Sequence, residues 1–264
     1  LSAADFFAKI RFVCHLLHYS CVYILEQQNG GVVMVFSSLQ FIFIFMPIFF
    51  GCYYIAPNKI KNFVLLIGSL CFYFVGTIHN PEHFILFILS IVADFAIGIW
   101  IEKFPARKKV LLATGIIFHL INFAVFKYFG FVINEMARLN PNFNFTSDIV
   151  LPIGISFYTF QGISYIVDVY RGNAKAERSL LRYAVYISMF EQLIAGPIVT
   201  YGQVEKELYK RKIKASSVLK GMGVFIFGLG LKVLLANPIG KLWSQTCAIG
   251  FESISTPLAW MAII

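Results

Sequence analysis

Long apolar blocks with few or no charges dominate the chain, and they decide what it can fold into. They run from Phe36 to Ile55, Phe63 to Thr77, Phe84 to Ile101, Val110 to Ile133, Val150 to Tyr170, Tyr183 to Tyr201 and Met222 to Ala236. A helix needs about 20 apolar residues to cross about 30 Å of hydrocarbon, and most of these blocks approach that length. One soluble core cannot hide them all, so the expected solvent is lipid and the expected fold is an all-α integral membrane protein, a multi-pass helical bundle. Composition agrees: 59% of residues are hydrophobic and 13% charged, far from the balance of a water-soluble domain.

The net charge of +9 does not point to nucleic acid, because the basic residues sit in short clusters between the apolar blocks, as cytoplasmic loops do. Cys14, Cys21, Cys52, Cys71 and Cys247 are odd in number and include no C-x-x-C pair, which indicates neither a disulfide framework nor a metal site. Residues 1–33 carry Lys9, Arg11, His15, His18 and Glu26, which interrupt any spanning run and lack the zones of a signal peptide. This leader is expected to lie outside the working protein, with Met34 as the natural start, although Phe6, Ile10, Val13, Leu17 and Ile24 also suit an amphipathic surface helix. The chain ends inside the apolar run Leu258 to Ile264, so residues 34–264 are expected to be the N-terminal portion of a longer membrane domain.

Lysine and arginine set the orientation. Lys59 and Lys61, then Lys103, Arg107, Lys108 and Lys109, then Arg171, Lys175, Arg178 and Arg182 follow the first, third and fifth blocks and read as cytoplasmic. The intervening loops hold Arg138 alone and read as external. The block Tyr183 to Tyr201 breaks this alternation, because the loop after it carries Lys206, Lys210, Arg211, Lys212, Lys214 and Lys220. With both flanks basic, the segment is expected to enter and leave by one face, a re-entrant segment with Gly196-Pro197 as its turn; a plain spanning helix is the alternative.

Asp94, His119, Lys127, Gln161, Asp168, Glu191 and Lys232 lie in or at the ends of these blocks and must face protein or water. Pairing of Asp94 with Lys127 or Lys232 and a hydrogen-bonded core role for His119 are the expectations. No Walker loop, GxGxxG, H-E-x-x-H or G-x-S-x-G occurs, so common soluble-enzyme chemistries find no support.

One stretch is specific. Leu151-Pro152-Ile153-Gly154-Ile155-Ser156-Phe157-Tyr158, continued by Ser164-Tyr165-Ile166-Val167-Asp168-Val169-Tyr170-Arg171-Gly172, resembles the central signature of the alginate O-acetyltransferase branch of the membrane-bound O-acyltransferase superfamily. Met34-Val35-Phe36-Ser37-Ser38, Phe45-Met46-Pro47-Ile48-Phe49 and Tyr53-Tyr54 resemble the family's N-terminus, and Leu193-Ile194-Ala195-Gly196-Pro197 its second signature. One departure stands before that second motif: the family has Phe-Pro and a polar residue, whereas Phe190 is followed here by Glu191 and Gln192.

The resemblance implies helices surrounding a tunnel, acetyl-CoA as cytoplasmic donor with no bound cofactor, and a hydroxyl on an exported polysaccharide such as alginate as acceptor. It also implies the bacterial cytoplasmic (inner) membrane and periplasmic acetyltransferase partners. The family's histidine base lies in a C-terminal half that this chain is expected to lack, so no catalytic residue is carried over and this fragment is expected to be inactive. Peptidoglycan O-acetylation, teichoic-acid D-alanylation and an ion-coupled transporter are the alternative functions. Gln161, Tyr165 and Asp168 share one helical stripe at i, i+4 and i+7, which suits either a polar tunnel wall or an interhelical hydrogen-bond seam. With Glu191, Gln192, Gly196 and Pro197 they are the candidate substrate-binding residues. Asp168 beside Arg171 also suits an interfacial salt bridge.

Overall fold

A computed structural model describes residues 36–139, 149–193, 196–211 and 214–249. The leader, most of the second external loop and the C-terminal apolar run lie outside the described residues. Those described form helices α1 (Met46–Ile55), α2 (Lys61–Gly76), α3 (Pro81–Lys103), α4 (Lys108–Leu139), α5 (Ile155–Arg171), α6 (Leu180–Ser188), α7 (Phe190–Leu193), α8 (Tyr201–Tyr209), α9 (Ala215–Leu231) and α10 (Asn237–Ile249). No strand occurs among the described residues.

Three helical stretches, Pro81–Lys103, Pro105–Ala137 and Ala215–Thr246, are long and apolar enough to cross a membrane, and Phe41–Ile55 and Lys61–Gly76 are shorter apolar helices. The protein is an all-α membrane protein. Helix α3 shows how sequence places a span: Pro81 opens it where its missing N–H is not needed, Glu82 and Lys103 complement the helix dipole at either end, and Pro105 stops it. Its Ile85, Leu89 and Val92 are exposed and apolar, as a lipid-facing stripe should be.

The chain divides into two compact units. In the first, residues 43–211, α3 packs on α4, α5 packs on both, and α6 lies against α2, α3, α5 and α8. Close approach rests on glycine: a Cβ on Gly98 would stand 2.8 Å from the Tyr165 hydroxyl, and one on Gly115 would stand 2.9 Å from Ile166 Cδ1. Helix α6 is the core of this unit, with Tyr183, Val185, Tyr186, Ile187 and Ser188 all buried.

In the second unit, α9, a π-helical turn at Lys232–Ala236 and α10 follow without interruption. The wide turn sits just before Pro238, whose ring would otherwise press on the carbonyl of Leu234.

Two expected spans differ from the sequence reading. Val150 to Tyr170 becomes the 17-residue α5, about 25 Å long, because Pro152 and a left-handed Gly154 delay its start until Ile155. Tyr183 to Tyr201 holds no continuous helix: α6 has 9 residues, about 13 Å, and ends where Met189 turns extended (ψ 112°).

Candidate functional site

The signature segment is bracketed by two left-handed glycines. Gly154 has φ +72°, and a Cβ there would approach the Leu193 carbonyl oxygen to 2.6 Å. At the other end Gly172 has φ +79°, with its N–H on the Val169 carbonyl at 3.1 Å and the Asn173 N–H on the Asp168 carbonyl at 2.9 Å, a Schellman stop. Between them α5 turns two faces to protein.

One face meets α6. Gln161, buried, donates its amide to the Tyr186 carbonyl at 3.0 Å, and Gln192 donates to the same oxygen at 2.7 Å. These bonds serve a carbonyl in the last turn of α6, which the break at Met189 would leave without its helical partner. The Phe190 N–H turns aside to Ser69 Oγ on α2 at 3.4 Å, and its ring is packed between Phe45, Phe49 and Phe72. Side chains on three other elements thus stabilise the break. The sequence reading put the turn of this segment at Gly196-Pro197; the helix ends earlier, at a site with neither glycine nor proline, because tertiary partners replace the lost backbone bonds. Gly196, with φ +131°, and Pro197 are exposed in the irregular backbone that follows.

The other face of α5 meets a buried polar pair. His119 Nε2 lies 2.7 Å from Asp94 Oδ1, each side chain about 1% exposed, and the Tyr183 hydroxyl donates to Asp94 Oδ2 at 3.3 Å. Gly162 passes directly over them. Asp94 therefore pairs with His119 and not with Lys127 or Lys232. Lys127 instead lies over the rings of Phe123 and Tyr128. The hydrogen-bonded core role expected of His119 is what the structure shows.

A second knot closes the other end of α6. Glu177, side chain fully buried, is gripped by Arg182 at 2.7 and 3.0 Å, by the amides of Arg178 and Ser179, and by the Tyr201 hydroxyl. Burial pushes its carboxyl upward, but the hydrogen bonds from Arg182, Tyr201 and the Ser179 amide outweigh that and hold it down at about 2. The Tyr209 hydroxyl is 3.3 Å from Arg182, whose guanidinium sits 4.1 Å above the Tyr209 ring. Arg182 precedes the segment Tyr183 to Tyr201 and Tyr209 follows it, so the segment's two flanks meet at one end of the unit. Asn62, at the start of α2, donates to the Leu208 carbonyl at the same end, 2.9 Å.

The remaining candidates sit apart. The Tyr165 hydroxyl accepts the Glu177 N–H at 3.0 Å, and its ring lies 4.6 Å from that of Tyr183. Asp168 is half-buried and forms no ion pair with Arg171 among the described residues; its carbonyl caps the helix instead. Glu191 is exposed. Gln161 and Gln192 converge on one atom, and Tyr165 joins the Glu177 knot. Asp168, Glu191, Gly196 and Pro197 do not join them.

Comparison with known proteins bears on the same segments. The chain is 32% identical to the "Probable alginate O-acetylase AlgI" of Pseudomonas aeruginosa, over 88% of its own length and 45% of that protein's. It is likewise 32% identical to the protein of that name in Azotobacter vinelandii, covering 88% and 47%. With the "Peptidoglycan O-acetyltransferase" of Helicobacter pylori it shares 29% identity, covering 87% and 49%. The chain fits the alginate branch of the membrane-bound O-acyltransferase superfamily. It spans about half the length of the curated relatives it matches. No family model matches it, and no solved structure matches it at a significant level.

In this chain the stretch that resembles the central signature is the helix that backs the broken segment. Glu177, Tyr183, Tyr186 and Tyr201 are the residues sequence reasoning missed. A carboxylate standing alone between Lys175 and Arg178, with Arg182 close behind, was the available signal for Glu177; the tyrosines gave none beyond their number.

Proposed function

We propose that the chain serves a multi-pass O-acetyltransferase of the bacterial inner membrane. In that reading an acetyl group passes from cytoplasmic acetyl-CoA to a hydroxyl of an exported polysaccharide such as alginate, with periplasmic acetyltransferases as partners. The acceptor oxygen bonds to the acetyl carbon, the carbon–sulfur bond breaks, and the thiol leaves with the acceptor's proton. None of the residues named above is assigned to that proton transfer. His119 is enclosed with Asp94, and the role of these residues is to hold a segment open within the bilayer.

The likeness to alginate O-acetylases over 88% of the chain carries the proposal. The meeting of the two flanks of Tyr183 to Tyr201 supports it, because irregular backbone at membrane depth survives only against protein or beside a water-filled passage. Exposed Lys103, Arg107, Lys108, Arg171, Lys175 and Arg178 offer a phosphate-bearing thioester donor an attractive face. Glu191 and Gln192 on the short helix α7, with Gly196 and Pro197 in the irregular stretch beyond it, are the residues this reading puts nearest the passage.

Peptidoglycan is the second acceptor to consider, favoured by the likeness to the Helicobacter enzyme. Deleting the gene in its own host and assaying ester-linked acetate separates the two. Loss from the exported polysaccharide with intact peptidoglycan acetylation is expected; unchanged acetate in the polysaccharide overturns the alginate-type reading. Restoration by the intact gene confirms the assignment.

A further inference from the structure

Three buried hydroxyls have no hydrogen-bond partner among the described residues and belong to elements that meet at the α6–α7 break: Tyr73 on α2, Tyr158 on α5 and Ser188 at the end of α6, each 2% exposed or less. Their placement follows from the contacts around them. Helices α5 and α6 run antiparallel, with Gln161 facing Tyr186 and Gly154 facing Leu193, so Tyr158 falls level with Ser188 to Phe190. On α2, Ser69 holds the Phe190 N–H, and Tyr73 is one turn further along the same face. The rings of Tyr73 and Tyr158 both pack on Phe87, centroids 4.3 and 5.1 Å away. Of the other unpartnered polar atoms, Asn62 Oδ1 lies at the start of α2, and Thr159 Oγ1, level with Ser188 by the same register, is one position round α5 from Tyr158.

Buried hydroxyls without partners are rare because each forfeits the bonds it makes in water. One such group is tolerable strain. Three from separate elements around one helix break describe a site for a small guest that both donates and accepts hydrogen bonds. We propose that Tyr73, Tyr158 and Ser188 form a closed water site, in which one or two ordered waters link the hydroxyls to the backbone exposed by the break. Water suits it because a buried water needs two to four polar neighbours and little room, and because the Phe87 ring, against which both tyrosine rings pack, disfavours a charged guest. The water completes the work of Gln161, Gln192 and Ser69 in sustaining irregular backbone inside a bilayer. This inference does not depend on the acetyl-transfer reading.

Two measurements on the full-length protein in lipid nanodiscs test it. Pulsed hydroxyl-radical footprinting in ¹⁸O-enriched water marks side chains beside bound water even when they are buried. Tyr73 and Tyr158 are expected to be labelled well above Tyr183, an equally buried tyrosine whose hydroxyl is bonded to Asp94; labelling of all three at the same low level overturns the proposal. A double-mutant cycle of Tyr73→Phe and Ser188→Ala gives the second readout. Each single change is expected to lower Tm by about 2–4 °C, and the pair by clearly less than the sum, since both act through shared water. Unchanged or raised Tm in each single variant, with additive effects in the pair, shows strained hydroxyls with no guest and sinks the inference.

Discussion

Replacing Gly162 by alanine is the sharpest test of how α5 is seated. A Cβ at this position would overlap Asp94 Oδ2 and stand 2.8 Å from His119 Nε2, with Asp94 Cγ at 3.1 Å. None of these atoms is the free end of a flexible side chain. Asp94 is held at 2.7 Å by His119 and at 3.3 Å by Tyr183, and both partners are buried. The methyl group must therefore separate the pair or lift α5 from α3 and α4. Breaking a buried, hydrogen-bonded pair costs about 3–5 kcal/mol, and overpacking without rupture about 1–3 kcal/mol. Against this stands a gain of about 1 kcal/mol for alanine over glycine in a helix. Because the Cβ would overlap a carboxylate oxygen that is held on two sides, rupture is expected, with a net loss of about 2–4 kcal/mol that lowers Tm by about 4–16 °C at the 2–4 °C per kcal/mol typical of domains this size. Gly51, also helical, has open space where a Cβ would stand, with no atom within 4 Å, so Gly51→Ala is the control, expected to leave Tm unchanged or slightly raised. Thermal unfolding of both variants in the same detergent decides the matter. If Gly162→Ala melts with Gly51→Ala, the close seating of α5 on the Asp94–His119 pair is wrong.

Glu177→Gln should destabilise the protein by about 3 kcal/mol at neutral pH, the equivalent of a carboxyl held at about 2 against its ordinary 4.5. Because the folded-state value is lowered, this stabilisation is present above about pH 4.5 and fades as pH falls toward 2, so melting curves of parent and variant should converge across that window; a constant gap refutes the assignment. Gly154→Ala adds left-handed strain at φ +72° to a 2.6 Å approach to the Leu193 carbonyl, and should cost more, by about 1 kcal/mol or above, than Gly172→Ala, where φ is +79° but space is open. Gln161→Leu removes one of the two amides on the Tyr186 carbonyl and should cost about 1–2 kcal/mol, with the loss measured as faster proteolysis between Tyr186 and Tyr201.

Sequence carried the spans and the odd segment but not its internal geometry. Apolar length and flanking charge are local properties, so α3, α4 and the rod from Ala215 were legible, and the basic flanks singled out Tyr183 to Tyr201, whose neighbours Arg182 and Tyr209 lie in contact. The break at Met189 was not legible. Tyr-Ile-Ser-Met-Phe-Glu-Gln-Leu contains no residue that stops a helix, and what stops it is supplied from Ser69, Gln161 and Gln192, more than 100 positions apart at the extremes. His119 was recognisable as a core histidine because a charge at membrane depth needs a partner, yet Asp94 as that partner was hidden by a separation of 25 positions and a turn between helices. Asp168 is a different case: its spacing from Gln161 placed it on the stripe, and the structure adds that its carbonyl also accepts the Asn173 N–H at the Schellman stop.

The two knots on α6 have a joint consequence for how the segment can behave. Glu177 and Arg182 hold its entry to Tyr201 and Tyr209 on its exit, while the doubly bonded Tyr186 carbonyl and the caged Phe190 hold its inner end. A helix pinned at both ends, with Tyr183 to Ser188 all buried, cannot slide or rotate without releasing several hydrogen bonds at once. Motion is therefore confined to Gly196, Pro197 and Ile198, which are exposed, because beyond them the Tyr186 hydroxyl holds the Val199 carbonyl at 2.9 Å and Gln203 holds the Thr200 N–H at 3.0 Å. Any group that must approach or leave a passage along this segment will find its fixed wall in α5 and α6 and its yielding edge between Gly196 and Ile198.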